Sequence, residues 1–198
     1  MSETTDKPRH HHGNLRNALI EAGIDLLREG GLAALSLRKC AARAGVSHAA
    51  PAHHFEGVEG LRAAIAQEGF RRFETLMRRH ADAGDQSPRG RLHGICRGYL
   101  AFARDEPALY DLIFSFRAGN PHVRHGDAAK SPAYRLLRET CAPFVPPGVD
   151  PVVVETQVWA LVHGLAMLTL TGRFQDMTPP VDGVLSLLDR IGAPPMAS

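Results

Sequence analysis

Aromatic side chains are scarce, at 6% of 198 residues, and cysteine occurs three times. Cys40, Cys96 and Cys141 are odd in number and far apart. They form neither the close pairs of a zinc site nor the framework of a small secreted domain, and they read as buried thiols. No uninterrupted apolar run reaches the ~18 residues that a membrane-spanning helix needs. The start, Met1 to Gly13, is polar throughout, which does not fit a secretory signal. The expectation is a cytoplasmic protein without a membrane partner. Motifs of catalysis are missing too: no Gly-x-Ser-x-Gly elbow, no phosphate loop, no His-Glu-x-x-His. Asp105-Glu106 stands before Pro107 and reads as a helix-end acidic pair. The chain is therefore not expected to be an enzyme or to carry a cofactor.

What is present is the balance of a globular protein, with 44% apolar and 22% charged residues. The length suits one ordinary domain or two small ones, and suffices for a core without staples. The net charge of +2 does not by itself suggest nucleic acid. Its distribution is uneven: Arg62, Arg71, Arg72, Arg78 and Arg79 face only Glu68 and Glu74 between residues 62 and 80. Six of the 11 histidines lie in the first 60 residues, at 10, 11, 12, 48, 53 and 54. These can become cationic below neutral pH or beside phosphate, and equally can serve only solubility.

Strand signals are nearly absent, and apolar residues recur at spacings of three and four, so the expected fold class is all-α. A first helix is expected at about 14–29, with Leu15, Ala18, Leu19, Ala22 and Leu26 inward and Gly30-Gly31 as its stop. Ser36 can cap a second helix, with Leu37, Cys40, Ala41 and Ala44 inward and Gly45 at its end. Ser47 can cap a short third helix that holds Pro51 in its first turn. A long helix at about 58–83 carries the stripe Leu61, Ile65, Gly69, Phe73 and Met77. The next carries Leu92, Ile95, Cys96, Tyr99, Phe102 and Ala103 on one face, and Pro107 opens a short helix to about Phe114. Residues 117–131 read as a mobile loop. Further helices are expected at about 132–140, 151–171 (the most apolar) and 180–191. The division is 10–57 and 58–193, the helix at 58–83 belonging to both.

Residues 36–54 have the arrangement of a helix-turn-helix: two serine-capped helices joined by a tight turn, with Ala41, Ala44 and Gly45 where the helices cross. The second helix of such a pair presents its first residues to base edges in the major groove. Its caps and free amides suit phosphate. Capped pairs also occur purely for packing, and the spacing alone leaves both readings open.

The stretch LRNALIEAGIDLLREGGLAALSLRKCAARAGVS, followed by His53-His54-Phe55, Glu59 and Leu61, resembles the amino-terminal domain of the tetracycline-repressor (TetR) family of bacterial regulators. The likeness covers the first third closely and the remainder in helix order and length. It extends to one subgroup, with HHGNLR before the first helix and Trp159, His163 and Gly164 as a late Trp-x-x-x-His-Gly. The resemblance implies an all-helical homodimer: a three-helix helix-turn-helix head, then a larger bundle (about nine helices) that binds a small effector and forms the dimer. Two positions depart from the family: Ala52 where a Tyr is usual, and Val58 where a Lys usually precedes Glu. Both family residues commonly touch phosphate. Each lost charge contact flattens the salt dependence of DNA binding by about one unit of slope. Histidines at 48, 53 and 54 can partly replace them. The expectation is a pH-sensitive affinity, refuted by an operator affinity that stays flat from pH 6 to 8.

The candidate DNA-contacting residues are Ser36, Arg38, Ser47, His48, Ala49, His53 and His54. An Ala at the start of a recognition helix suits apolar contact with a thymine methyl. Phe55 reads as core. The His10-His11-His12 run has no carboxylate or Cys beside it, and adjacent residues do not share a helix face, so no metal is expected. The candidate ligand-contacting residues are Phe73, Met77, Tyr99, Phe102, Tyr110, Phe114, Trp159, His163 and Met167. Trp159 and His163 sit one turn apart on one helix face. That suits either a hydrogen-bonded core pair or the polar handle of an apolar pocket. Gly164 and Gly172 would allow a close helix seam.

Together these readings describe a DNA-binding transcription regulator, in the repressing sense, released from a near-palindromic double-stranded operator by a small and largely apolar effector. It would dimerise through its two carboxy-terminal helices, placing the recognition helices roughly 34 Å apart. The alternative is a helical ligand-binding protein whose DNA-binding head has weakened. A metal- or haem-binding helical protein is the remaining rival.

Overall fold

A computed structural model of the chain describes residues 11–114, 131–174 and 177–192, the side chains of 11–14 excepted. The side chains of the histidine run, and residues 117–130 of the expected loop, lie outside the described residues. Eight α-helices and no strand are found among those described: α1 His11–Ala34, α2 Leu37–Arg43, α3 Gly57–Ala83, α4 Pro88–Asp105, α5 Pro107–Phe114, α6 Pro132–Cys141, α7 Pro151–Leu170 and α8 Val181–Leu185. Short 3-10 turns cover Ala50–His53, Ala142–Phe144 and Ser186–Arg190. The chain forms two compact units, Met1–Glu68 and Gly69–Ser198, so the division falls inside α3.

In the first unit, α1 is interrupted where the sequence places its stop. Gly30 leaves helical geometry, and Gly31 adopts φ 62°, a left-handed value that side chains resist. The inward face of α1 is Leu19, Ile20, Ala22, Ile24, Leu26 and Leu27, while Ala18 is exposed. Gly23 lets Ile65 of α3 approach: a Cβ there would stand 2.6 Å from its Cδ1. Leu19, Ile24, Leu61 and Ile65 are fully buried, each worth about 1.5–3 kcal/mol of transfer free energy.

The second unit is built around α4, whose Leu92, Ile95, Cys96, Tyr99, Phe102 and Ala103 are all buried. Gly94 and Gly98 bring α4 against the backbone of α3. The end of the chain is fastened to α4. The Arg89 guanidinium donates to the carbonyls of Leu188 and Ile191 and lies 3.9 Å over the Phe144 ring. His93 Nε2 stands 2.8 Å from Asp189. The last helix expected at 180–191 is α for only Val181–Leu185 and then tightens to 3-10.

Helix α7 is long and apolar enough to cross a membrane by length and composition. One face nevertheless packs into the unit through Val154, Val158, Val162, Leu165 and Ala166, and carries the buried carboxylate of Glu155.

Candidate functional site

Two places gather the residues singled out from the sequence. In the first unit, Ser36 caps α2 as expected, its Oγ accepting from the Lys39 amide at 3.2 Å. The helix ends in a Schellman motif: the Val46 amide donates to Ala41 and the Gly45 amide to Ala42, with Gly45 at φ 67°. The expected third helix is different. Ala50–His53 is a 3-10 turn, its N-cap is Ala49, and no side chain caps it. Ser47 therefore does not cap through its hydroxyl, although its carbonyl accepts from the Ala50 amide at 3.0 Å. The cause is Pro51. It lacks an amide proton, and its ring disfavours α geometry at Ala50. The turn closes instead through Ala52 to Ala49 and His54 to Pro51.

Arg38, Ser47, His48, Ala49 and His53 are exposed on this turn and on the start of α2; Ser36 and His54 are half-buried. Ala52 is exposed too, so the position where the family usually has Tyr is free of the core. Arg43 is committed elsewhere: both its terminal nitrogens reach the Glu29 carboxylate at 2.6 Å. That hydrogen bonding holds the Glu29 carboxyl below the usual carboxylate range. Phe55 is core, 6% exposed, with Arg16 placed 5.6 Å over its ring.

The second unit holds a half-open cavity of about 220 Å³. Five helices or their caps wall it: Phe70, Phe73 and Met77 from α3; Ile95, Cys96 and Tyr99 from α4; Ile113 and Phe114 from α5; Ser131, Ala133, Tyr134 and Leu137 from α6; Val158, Trp159 and Val162 from α7. Six of these are aromatic, in a chain that has only 12 Phe, Trp and Tyr residues. The rings meet edge to face, Phe73 on Tyr99 at 4.9 Å and Phe73 on Phe114 at 5.7 Å, the geometry their quadrupoles favour.

Of the expected ligand-contacting residues, Phe73, Met77, Tyr99, Phe114 and Trp159 reach this wall. Tyr110 and His163 stand behind it. His163 Nδ1 lies 2.7 Å from the Tyr99 hydroxyl and 2.9 Å from that of Tyr110, and the two hydroxyls are 3.2 Å apart. Burial lowers the His163 pKa, favouring the neutral ring. With its proton on Nε2, Nδ1 accepts from one tyrosine while the other donates to the first, and both hydroxyl protons find an acceptor. Burial also raises both phenols, Tyr110 to about 12 and Tyr99 further still.

Two more expected residues are not on the wall. Phe102 is fully buried and packs against Phe73 at 5.1 Å. Met167 is 41% exposed and belongs to the outer face of α7. Each four-residue step turns about 40° around a helix, so two steps from Trp159 carry it off the cavity side. Sequence reasoning missed Tyr134, whose hydroxyl donates to the buried Glu155; Arg138 Nε stands 3.6 Å from the same carboxylate. The Glu155 hydrogen bond raises the Tyr134 pKa. Val158 and Val162 were findable, since they flank Trp159 at helical spacing. Cys96 was read as core, which it is, with burial pushing its thiol far up. Among the described residues no cluster of His, Cys, Asp and Glu could hold a metal ion.

The sequence matches the family described as "Bacterial regulatory proteins, tetR family" over residues 19–65. It matches "Tetracyclin repressor-like, C-terminal domain" over residues 92–190. Among curated proteins none matches. Among solved structures, one of a protein of unknown function from Rhodococcus sp. RHA1 is 28% identical. It covers 94% of this chain and 97% of its own, with a TM-score of 0.75. A TetR family transcription regulator from Marinobacter aquaeolei VT8 is 19% identical over 91% of this chain and 96% of its own, TM-score 0.68. The FadR regulator of Bacillus subtilis, in complex with stearoyl-CoA, is 15% identical over 89% and 97%, TM-score 0.69. These last two likenesses speak to the fold alone. The helix-turn-helix head, the helical body with its cavity and the two family matches agree: the chain belongs to the TetR family of DNA-binding transcription regulators.

Proposed function

We propose that this regulator represses transcription from a near-palindromic operator and is released when a small, largely apolar molecule enters the cavity of its second unit. The observation that carries the reading is the double use of α3. Its Ile65 is part of the first unit's core, and its Phe73 and Met77 are cavity wall. A ligand that shifts α3 acts on a helix that both functions share. A coupling of about 1–3 kcal/mol suffices for a 5–150-fold change in operator affinity. Ser36, Arg38, Ser47, His48, Ala49, His53 and His54 are the proposed DNA contacts, with the head at 10–57 and the body at 58–193.

Dimerisation would use the outer faces of α7 and α8. Val152, Val153, Met167 and Leu168 are exposed on α7 and Leu187 on the 3-10 turn that follows α8, and a Cβ at Gly164 would meet nothing within 4 Å. A place in the cytoplasm follows from the DNA partner. FadR is crystallised in complex with stearoyl-CoA; for this chain only the binding of some small ligand is carried over, and its place in the cavity rests on the geometry above.

A weakened head is the second reading, favoured by Ala52, Val58 and the commitment of Arg43 to Glu29. Fluorescence anisotropy with DNA from upstream of the protein's own gene, beside a shuffled duplex and across a salt series, tests both. Tighter binding to the native duplex with a steep salt slope is expected. Equal, weak and salt-independent binding to both duplexes would favour the weakened head.

A further inference from the structure

Resting on the reading of the cavity as an effector site, we infer that its ligand is an uncharged aromatic molecule, and that ionised analogues of the same shape are rejected. Among the described residues the wall is mostly rings and aliphatic groups, and none of these side chains bears a formal charge. Its few polar groups are uncharged, and most already have a partner in the protein. Ser131 Oγ accepts from the Tyr134 amide at 3.2 Å. The Tyr134 hydroxyl donates to Glu155, and the Tyr99 hydroxyl is held by His163 and Tyr110. A ligand carboxylate or phosphate would lose its water and find only the neutral Ser131 hydroxyl and Trp159 indole N–H as donors, with no cation beside them among the described wall residues, and burying an unpaired charge is the costliest polar transfer.

A cation fares little better, although aromatic faces attract one. The carboxylate of Glu155, bonded to the wall residue Tyr134, is 2% exposed and already has the Tyr134 hydroxyl and the Arg138 guanidinium as partners. What the cavity does offer is ring edges and faces. Tyr99 stacks near Phe114 at 5.8 Å, and Tyr134 meets Trp159 at 5.9 Å. An aromatic guest extends this set in offset and edge-to-face contacts, each adding to area burial. An aliphatic guest of equal volume gains only the burial.

Trp159 is the one tryptophan in the chain and lies on the wall, so its fluorescence reports occupancy directly. The full-length protein is titrated with 4-nitrotoluene, 4-nitrobenzoate and 4-nitrobenzyl-trimethylammonium, with methylcyclohexane as competitor. Saturable quenching by 4-nitrotoluene is expected, at least ten-fold tighter than by either ion, with methylcyclohexane a weak competitor. Ala133→Leu, which narrows the cavity, should weaken it; if that variant does not fold, Cys96→Met makes the same test from α4. Equal or tighter binding of an ion overturns the charge rule and leaves the effector site standing. Equal competition by methylcyclohexane overturns the aromatic preference. Quenching that never saturates for any probe, or that ignores both variants, overturns the effector site as well.

Discussion

Gly98→Ala tests the packing that shapes the cavity. A Cβ at Gly98 would stand 2.5 Å from Met77 Cα and 2.9 Å from the Leu76 carbonyl oxygen. These are backbone atoms, so no rotamer change relieves the clash, and α3 and α4 must separate by about 1 Å to restore van der Waals distance. Overpacking of this kind costs about 1–3 kcal/mol, and the rigid target puts it at the upper end. Alanine returns about 1 kcal/mol through its better helix propensity. The net loss is then about 1–2 kcal/mol. For a chain of this length that lowers Tm by about 2–8 °C. Because the Met77 and Phe73 side chains are cavity wall, the same displacement should weaken quenching of Trp159 by a bound aromatic probe. Differential scanning calorimetry and the Trp159 titration together read both effects. The control is Gly164→Ala on α7, where nothing lies within 4 Å in the protomer. A Gly98→Ala protein with unchanged or raised Tm would refute the close α3–α4 approach and the shape of the cavity derived from it.

Burial lowers the His163 pKa, so below about pH 6.5 the unfolded imidazole takes up a proton before the folded one does. Stability linked to this group is fully present above that pH and is lost as pH falls through the lower folded value; His163→Gln should flatten this part of a Tm-against-pH curve, and an unaltered curve would argue against a buried neutral ring. Cys40, Cys96 and Cys141 are buried, and burial raises all three thiols, Cys141 to about 12. A thiol reagent such as DTNB should leave the native protein unmodified and titrate three groups after denaturation; rapid native reaction would show an open path to one of them. Ser36→Ala removes the bond to the Lys39 amide and should cost about 0.5–2 kcal/mol of stability, seen in urea unfolding, and should weaken operator binding as well. Loss of stability without loss of affinity would make Ser36 a cap only.

The all-helical fold was legible because its stripes are regular: Leu61, Ile65, Gly69, Phe73 and Met77 are all buried, as their spacing requires. The stops were legible for the same local reason, since Gly31 and Gly45 take the left-handed values that end a helix. The short third helix was not, because one proline acts on two neighbours at once. Pro51 tightens the turn to 3-10, and a serine that looks like a cap at position 47 is left without that role. In the cavity wall, spacing along single helices pointed to Phe73 and Met77 of α3 and Tyr99 of α4, but not to Phe70, Ile95 or Cys96. It could not find Tyr134, because its partner Glu155 lies 21 residues away on another helix. Nor could it separate the wall from the layer behind. Phe102 and Phe73 carry the same signal, and only the crossing of α3 with α4 decides which ring faces the space.

Helix α7 shows why such separation needs the whole molecule. It is apolar nearly all round, which in a single sequence says core or membrane. In the structure its circumference is divided among three tasks. Val154, Leu165 and Ala166 fill the unit's interior, Val158, Trp159 and Val162 face the cavity, and Val152, Val153 and Leu168 face outward. An outward apolar face flanked by a glycine with open space is what a second helix would cover. The aromatic cavity and this face therefore share one rigid rod. A guest that presses on Trp159 also presses on the helix whose far side is proposed to hold the partner subunit, and the tyrosine–histidine cluster fastens that rod to α4 and α5 at the height of the guest. Ligand and dimer would then be linked through α7 as ligand and DNA are through α3, and each linkage is reciprocal. A ligand that loosens the operator complex must bind the DNA-bound protein more weakly than the free protein, by the same factor.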